Sequence, residues 1–173
     1  MIRKVNNINL RNFTDGNTYT VSNTTTQTIT ASISIDANTF KANDWIMLDA
    51  AFQEVSGTAA ITSRFYWNTT ATITGAIQIG SSSNSPLIGV PVPYFETSRR
   101  LSIRTANGGG SGISLGTEVI GLTGATNRQE YGANANPTNL AINWTVNSVL
   151  FCTVQMDNAT STARQQFFKV WTY

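Results

Sequence analysis

Histidine is absent from this 173-residue chain, and cysteine occurs once, at Cys152. Without histidine the chain cannot build a Ser-His-Asp triad, a Cys-His dyad or a His-ligated metal site. A single cysteine cannot form an intrachain disulfide, and it cannot by itself hold a zinc ribbon or an iron–sulfur cluster. Because Cys152 lies in an apolar run, we expect a buried, unreactive thiol. The sequence therefore predicts a non-enzymatic protein with no cofactor and no metal.

Charge is also scarce. Charged residues make up 12% of the chain, and the net charge is +2. The 11 Lys and Arg residues against 9 Asp and Glu are too few for a protein that neutralises many phosphates, so we expect no nucleic-acid partner. No apolar run approaches the roughly 20 residues of a membrane-spanning helix, and the N-terminus lacks the apolar stretch of a signal peptide. Membrane insertion is therefore not expected.

Carboxylate pairs are the remaining catalytic possibility, because two acids can hydrolyse a glycosidic bond. Asp44 with Asp49, or Glu96 with Glu118, could meet in space. Nothing in their spacing requires this, and solvated or ion-paired acids are the simpler interpretation. A calcium site has the same weakness, because no acidic loop resembles an EF-hand.

What the chain does contain is Thr, Asn and Ser in abundance, with 40% hydrophobic and 10% aromatic residues. The hydrophobic share argues against disorder. Threonine favours strands, while Asn and Ser favour turns. We therefore predict an all-β antiparallel sandwich of roughly nine to eleven strands with essentially no helix. Residues 17–173 would form this single domain, and residues 1–16 an N-terminal arm.

Period-2 alternation locates several strands. Residues 28–35 (TITASISI) predict a strand with its aliphatic positions, Ile29 among them, facing inward. Residues 45–54 alternate in the same way, which favours a strand over a helix. Residues 58–79 predict a hairpin. Residues 99–105 predict a further strand, with Leu101 facing inward.

The C-terminal third is the most apolar part of the chain. Residues 140–146 predict a strand with Trp144 on its buried face. Residues 149–156 are apolar on both sides, which is typical of a central strand covered on both faces. After a turn at 157–161, residues 167–171 predict a strand that ends the fold. Most aromatic residues fall in such patterns and are expected in the core, Trp45 included.

Partial exposure is expected for the aromatic residues outside these patterns and for those near the terminus. Four arginines could bind an anion, or could form a solvated face: Arg99, Arg100, Arg104 and Arg128. A ring in a polar loop can stack on a sugar or a partner, although solvated side chains are the alternative. The exposed aromatic candidates are Tyr94, Tyr131, Trp171 and Tyr173. The candidate ligand or partner surface comprises Tyr94, Arg99, Arg128 and Tyr131.

The N-terminal arm carries three cations, Arg3, Lys4 and Arg11. One interpretation is a docking arm that becomes ordered on a partner. The other is an edge strand followed by a turn at Asp15-Gly16.

Several segments together resemble one family. They are TFKANDWIMLDAAFQEVSG, the RFYWN and GAIQIGSSS hairpin, RRLSIRTANG, and the ending LAINWTVNSVLFCTVQMDNATSTARQQFFKVW. This order resembles the β-sandwich modules of tailed-bacteriophage virion proteins, found in tail fibres, head fibres and receptor-binding tips. The resemblance covers residues 39–171.

The resemblance implies a jelly-roll-like structural or adhesive virion protein without enzymatic activity, usually a homotrimer and assembled in the host bacterial cytoplasm. Its partners would be copies of itself, other virion proteins and a host-surface glycan or protein. A short chain fits a head-fibre, decoration or small tail-tip protein. The alternatives are a carbohydrate-binding β-sandwich module, which would be a monomer with an aromatic platform, and a small jelly-roll capsid protein, which would form closed shells.

Overall fold

The structure, a computed structural model, describes residues 10–12, 19–84, 94–105, 111–116, 120–121 and 138–172. The described residues form twelve β-strands, more than the expected number. The strands are β1 (Leu10–Asn12), β2 (Tyr19–Ser22), β3 (Thr28–Ile35), β4 (Trp45–Ser56), β5 (Ile61–Asn68), β6 (Ile77–Asn84), β7 (Tyr94–Ile103), β8 (Ser111–Gly116), β9 (Ile120–Gly121), β10 (Thr138–Ala141), β11 (Ser148–Met156) and β12 (Thr162–Thr172). Within these ranges no helix is long and apolar enough to cross a membrane.

The strands form two antiparallel sheets. Sheet A has the order β1-β12-β4-β7-β8-β10, with β2 also paired to β12 and β9 to β7. Sheet B has the order β3-β11-β5-β6. Strands β2, β12, β4 and β7 lie in one sheet and β3, β11, β5 and β6 in the other, so the chain crosses repeatedly between the sheets. This winding is that of a double-sheet jelly roll. The predicted all-β jelly-roll sandwich is confirmed.

The core lies between the two sheets because alternate residues of each strand point to the same side. The inward positions of β4 are all apolar up to Phe52, and those of β11 include Leu150 and Val154. Burying each large aliphatic or aromatic side chain stabilises the fold by about 1.5–3 kcal/mol. Cys152 belongs to this core, and burial raises the pKa of its thiol to about 12. The predicted burial of Cys152 is confirmed.

One strand departs from its predicted alternation. A β-bulge between Cys152 and Thr153 of β11 shifts the register of β3, so that Cys152 pairs with Ala31 and Thr153 with Ile29. Because Thr153 lies on the outer side of sheet B, Ile29 lies there too, and it is not part of the core. The bulge residue Thr30 is buried and donates its hydroxyl to the Cys152 carbonyl. The prediction that Ile29 faces inward is therefore wrong, since a bulge reverses the side to which the following residues point.

The segment after β10 is buried as predicted but is not a strand. Trp144 is almost fully buried, and its ring packs edge-on against Phe40, with centroids 5.0 Å apart. The Asn143 Oδ1 atom accepts hydrogen bonds from the Thr145 backbone N–H (3.0 Å) and from its hydroxyl (2.7 Å). Such a side-chain to backbone turn competes with a strand ladder. The strand predicted for residues 140–146 therefore ends at Ala141.

The predicted hairpin is present with different limits. Strands β5 and β6 pair antiparallel, but β6 begins at Ile77 and continues to Asn84. The connection is a turn in which the Asn68 amide donates to the carbonyl of Thr72 at 2.9 Å. Strand β7 also begins earlier than predicted, at Tyr94.

Part of the predicted arm belongs to the sandwich. Leu10–Asn12 pairs with Phe168–Val170 at the edge of sheet A, with Arg11 opposite Lys169 in the register. This agrees with the edge-strand interpretation for those three residues. Arg3 and Lys4 lie outside the described residues.

Candidate functional site

Four buried apolar residues lie outside the core cluster. Met47 and Ala51 alternate with the inward residues of β4, and Tyr66 and Phe151 alternate with those of β5 and β11. They therefore lie on the outer faces of the two sheets, where a half-exposed strand normally presents polar side chains. Each outer face thus has an apolar patch that neighbouring side chains cover.

On sheet B the cover is complete within the chain. The Tyr66 and Phe151 rings stack with centroids 5.3 Å apart. The Gln27 amide donates to the Tyr66 hydroxyl at 2.9 Å and to the Thr153 hydroxyl at 2.8 Å, and the Tyr66 hydroxyl donates to Gln78. The Tyr66 and Phe151 rings and the polar groups around Tyr66 thus contact one another.

On sheet A the apolar patch is buried beneath side chains that are themselves exposed. Met47 is only 7% exposed, yet its neighbours are exposed: Trp171 opposite it on β12, Arg100 opposite it on β7, and Trp45 two residues along β4. Trp45 is 40% and Trp171 38% exposed. We call Trp45, Met47, Arg100 and Trp171 the indole site. Its floor is a thioether, and two indoles and a guanidinium stand around it.

The indole of Trp171 is held in place by an acid. Its Nε1 donates to Asp49 Oδ2 at 2.7 Å, while the Ser98 hydroxyl donates to Asp49 Oδ1. Lys169 lies beside them, with its ammonium 4.8 Å from the centroid of the Phe167 ring. Both oxygens of Asp49 are therefore engaged, and the acid acts on the site by orienting the ring.

Electrostatics agree with a positioning role for Asp49. Burial raises the pKa of this carboxyl group above its ordinary value, and the hydrogen bonds from Ser98 and Trp171 and the Lys169 charge oppose that shift. The nearby Glu96 charge adds to the rise in pKa. Asp44, the other acid of one predicted catalytic pair, instead accepts a hydrogen bond from the Lys41 backbone at 2.7 Å. Asp44 thus closes a turn by a local contact.

Arg100 differs from the other charged groups on this face. It is exposed, and among the described residues no hydrogen bond or ion pair engages its guanidinium. Glu96 lies on the same face of β7 but four residues away, which is about 13 Å along a strand. Asp49 is the diagonal neighbour of Arg100 in the register of β4 and β7, but both of its oxygens accept hydrogen bonds from other groups. Arg100 therefore presents a guanidinium without a direct partner among the described residues.

Of the four predicted surface residues, only Tyr94 and Arg99 lie among the described residues. Arg99 is 4% exposed and points into the sandwich, where it donates to the carbonyls of Ser98 (2.9 Å) and Ser81. The expectation that Arg99 contributes to a ligand surface is thus wrong, because strand alternation turns it inward while Arg100 turns outward. Tyr94 begins β7, and nothing further is described for it. Arg128 and Tyr131 lie outside the described residues.

The expectation that Trp45 lies in the core is wrong, because the side chain is 40% exposed. The sequence contained a signal for this. Arg100 was already among the arginines expected to be able to bind an anion. Trp45 has the same parity as Met47 and Asp49, so the alternation that buries Ile46 and Leu48 also turns Trp45 outward. The exposure predicted for Trp171 is confirmed. The pairing of β4 with both β12 and β7 could not be inferred, and that pairing brings the site together.

Comparison with protein-family models, curated proteins and solved structures finds no match for this chain. In the part of the chain that the structure describes, no group of three or more Cys, Asp or Glu side chains is placed to hold a metal ion. The function is therefore argued from the fold and the indole site.

Proposed function

We propose that this chain is a non-enzymatic structural protein of a bacteriophage virion, either a head-fibre or decoration protein or a small tail-fibre component. Copies of the jelly roll associate as a homotrimer and carry a host-attachment surface. The observation that supports this most directly is the jelly-roll order of the eight central strands. Double-sheet jelly rolls recur in viral capsid proteins and in lectin domains, both of which bind other molecules through the outside of a rigid sandwich.

The edge of sheet B supports association between copies. Strand β3 has one hydrogen-bonded neighbour, β11, among the described strands, and its eight residues include no charge and no proline. Charge and proline are two of the devices that keep exposed edges from pairing. Burying hydroxyl groups in a symmetric interface also costs far less than burying charged groups.

The mass of the purified chain in solution tests this proposal. Light scattering should give about three times the 18.7 kDa of one chain. The measurement should be repeated on a chain that lacks residues 1–9. This truncation keeps Leu10–Asn12, which belong to sheet A, and it removes Arg3 and Lys4 from the predicted docking arm. A trimer that survives the truncation supports an assembly formed by the sandwich itself.

A trimer lost on truncation would assign assembly to the arm rather than to the sandwich. A monomer at every concentration would overturn the trimeric virion role and favour a carbohydrate-binding module. Large closed particles would favour the capsid alternative.

A further inference from the structure

We propose that the indole site binds a sugar acid, a pyranose ring bearing a carboxylate such as a uronic or sialic acid residue of a surface glycan. This inference rests on the proposed attachment function and names its ligand class. The geometry that points to it is a pair of exposed indoles around one apolar floor, with a guanidinium that has no partner among the described residues.

The floor and walls suit a sugar ring. Trp171 and Arg100 both lie opposite Met47 in the register, one strand away on either side. Two strand spacings amount to about 9–10 Å, so a six-membered ring that lay over the nearly buried Met47 would be within reach of both side chains. The apolar C–H side of a pyranose stacks on an aromatic face, and an indole offers the largest such face.

The ring that would carry this contact is fixed before a ligand arrives. The 2.7 Å hydrogen bond from Trp171 to Asp49 restrains the indole, and the second Asp49 oxygen is restrained by Ser98. Ordering a side chain at the moment of binding lowers affinity, so a ring already held by the protein binds more tightly. Uncovered sheet faces usually lack such a restraint.

Arg100 determines which sugar is favoured. A guanidinium matches a carboxylate in a two-pronged hydrogen bond, and this pair is stronger than a bond between neutral groups. Because no described residue forms a hydrogen bond or ion pair with Arg100, an acidic sugar gains this interaction without breaking an existing ion pair. A neutral sugar would gain only the stacking.

The full chain should be titrated with methyl glucuronide and, as the matched neutral probe, methyl glucoside, with ligand-observed NMR and tryptophan fluorescence as readouts. The glucuronide should bind at least about tenfold more tightly than the glucoside. The Arg100→Gln variant should reduce that preference to nearly one. Trp45→Ala should weaken both sugars by several-fold and leave their ratio unchanged. Arg104→Gln, which removes another exposed arginine four residues further along the chain, should change neither value.

Three results would overturn the proposal. The native chain could bind both sugars equally, the Arg100→Gln variant could keep the preference for the glucuronide, or the glucuronide could fail to bind at millimolar concentration. Unfolding midpoints of the variants show that each is folded, and substitutions at exposed positions rarely shift them. The mass measurement separates the two claims. A trimer that binds no sugar acid overturns this inference alone, and a monomer that binds one overturns the trimeric role alone.

Discussion

Replacing Trp144 with alanine tests whether the irregular segment after β10 belongs to the core. Removing a buried tryptophan costs about 3–5 kcal/mol. Two edge-on ring contacts, with Phe40 at 5.0 Å and Trp67 at 6.3 Å, place the cost in the upper part of that range. One contribution reduces this cost. The Trp144 Nε1 atom is buried without a hydrogen-bond partner among the described residues, so removing it recovers about 1 kcal/mol of desolvation free energy. We expect a net loss of about 4 kcal/mol in the free energy of unfolding.

The assay is urea unfolding followed by far-ultraviolet circular dichroism at one fixed protein concentration, because association changes apparent stability. Trp45→Ala is the matched control. It removes the same side chain from a position that is 40% exposed, and it should lower the free energy of unfolding by no more than about 1 kcal/mol.

Since whole domains are stable by about 5–15 kcal/mol, Trp144→Ala could fail to fold. Trp144→Phe keeps an aromatic ring beside Phe40 and should cost less than about 2 kcal/mol. Similar losses for the two alanine variants would refute the inclusion of this segment in the core.

Three further outcomes are expected. Burial raises the pKa of Glu54 above its ordinary 4.5. The stability that the protonated Glu54 carboxyl contributes is therefore complete below pH 4.5. It is lost as pH rises through the raised pKa of the folded state. The Glu54→Gln variant keeps an acceptor for the Ala59 N–H, which lies 2.8 Å from the Glu54 carboxylate in the native protein. The variant should have a larger free energy of unfolding than the native protein at neutral pH and should lose this advantage below about pH 4. Equal free energies of unfolding for the two proteins at both pH values would contradict the reasoning. Gly80→Ala should cost about 1–3 kcal/mol, because its Cβ would lie 2.7 Å from Arg99 Cδ and overlap Nε. In urea unfolding that cost should shrink in an Arg99→Leu background, and an unchanged cost would rule out the overlap as its cause. Cys152 should resist thiol reagents until denaturant unfolds the chain, and modification of the native protein at the same rate would show that this part of the core opens.

The strands that were correctly predicted share a strict alternation that no local feature interrupts. The inward positions of β4 and β5 and the opposite faces of Phe168 and Lys169 on β12 all follow from period 2. The errors arise where a local feature overrides that period. The bulge in β3 is invisible in TITASISI, because its position depends on the pairing with β11. The turn at Asn143 forms because a side-chain oxygen competes for backbone N–H groups.

The candidate site was harder to predict than the fold because it depends on register. The outward parity of Trp45 could be read from one strand, and so could that of Arg100. Their approach to Trp171 requires that β4 pair with β7 on one side and with β12 on the other. Sequence alone does not show which distant strands become neighbours, so Arg100 could be named as a candidate anion binder but could not be placed beside Trp45 and Trp171.

The position of β12 has a consequence for how the chain folds. This strand lies in sheet A between β4 and the edge strands β1 and β2. It brings together residues as distant as Asp49 and Trp171, which are 122 positions apart. Until β12 arrives, β4 lacks one neighbour and β2 lacks its partner. Contacts that join such distant parts of a chain are slow to form, and unpaired strand edges favour aggregation while they wait. With only 12% charged residues to keep partly folded chains apart, the yield of refolded protein should fall steeply as its concentration rises.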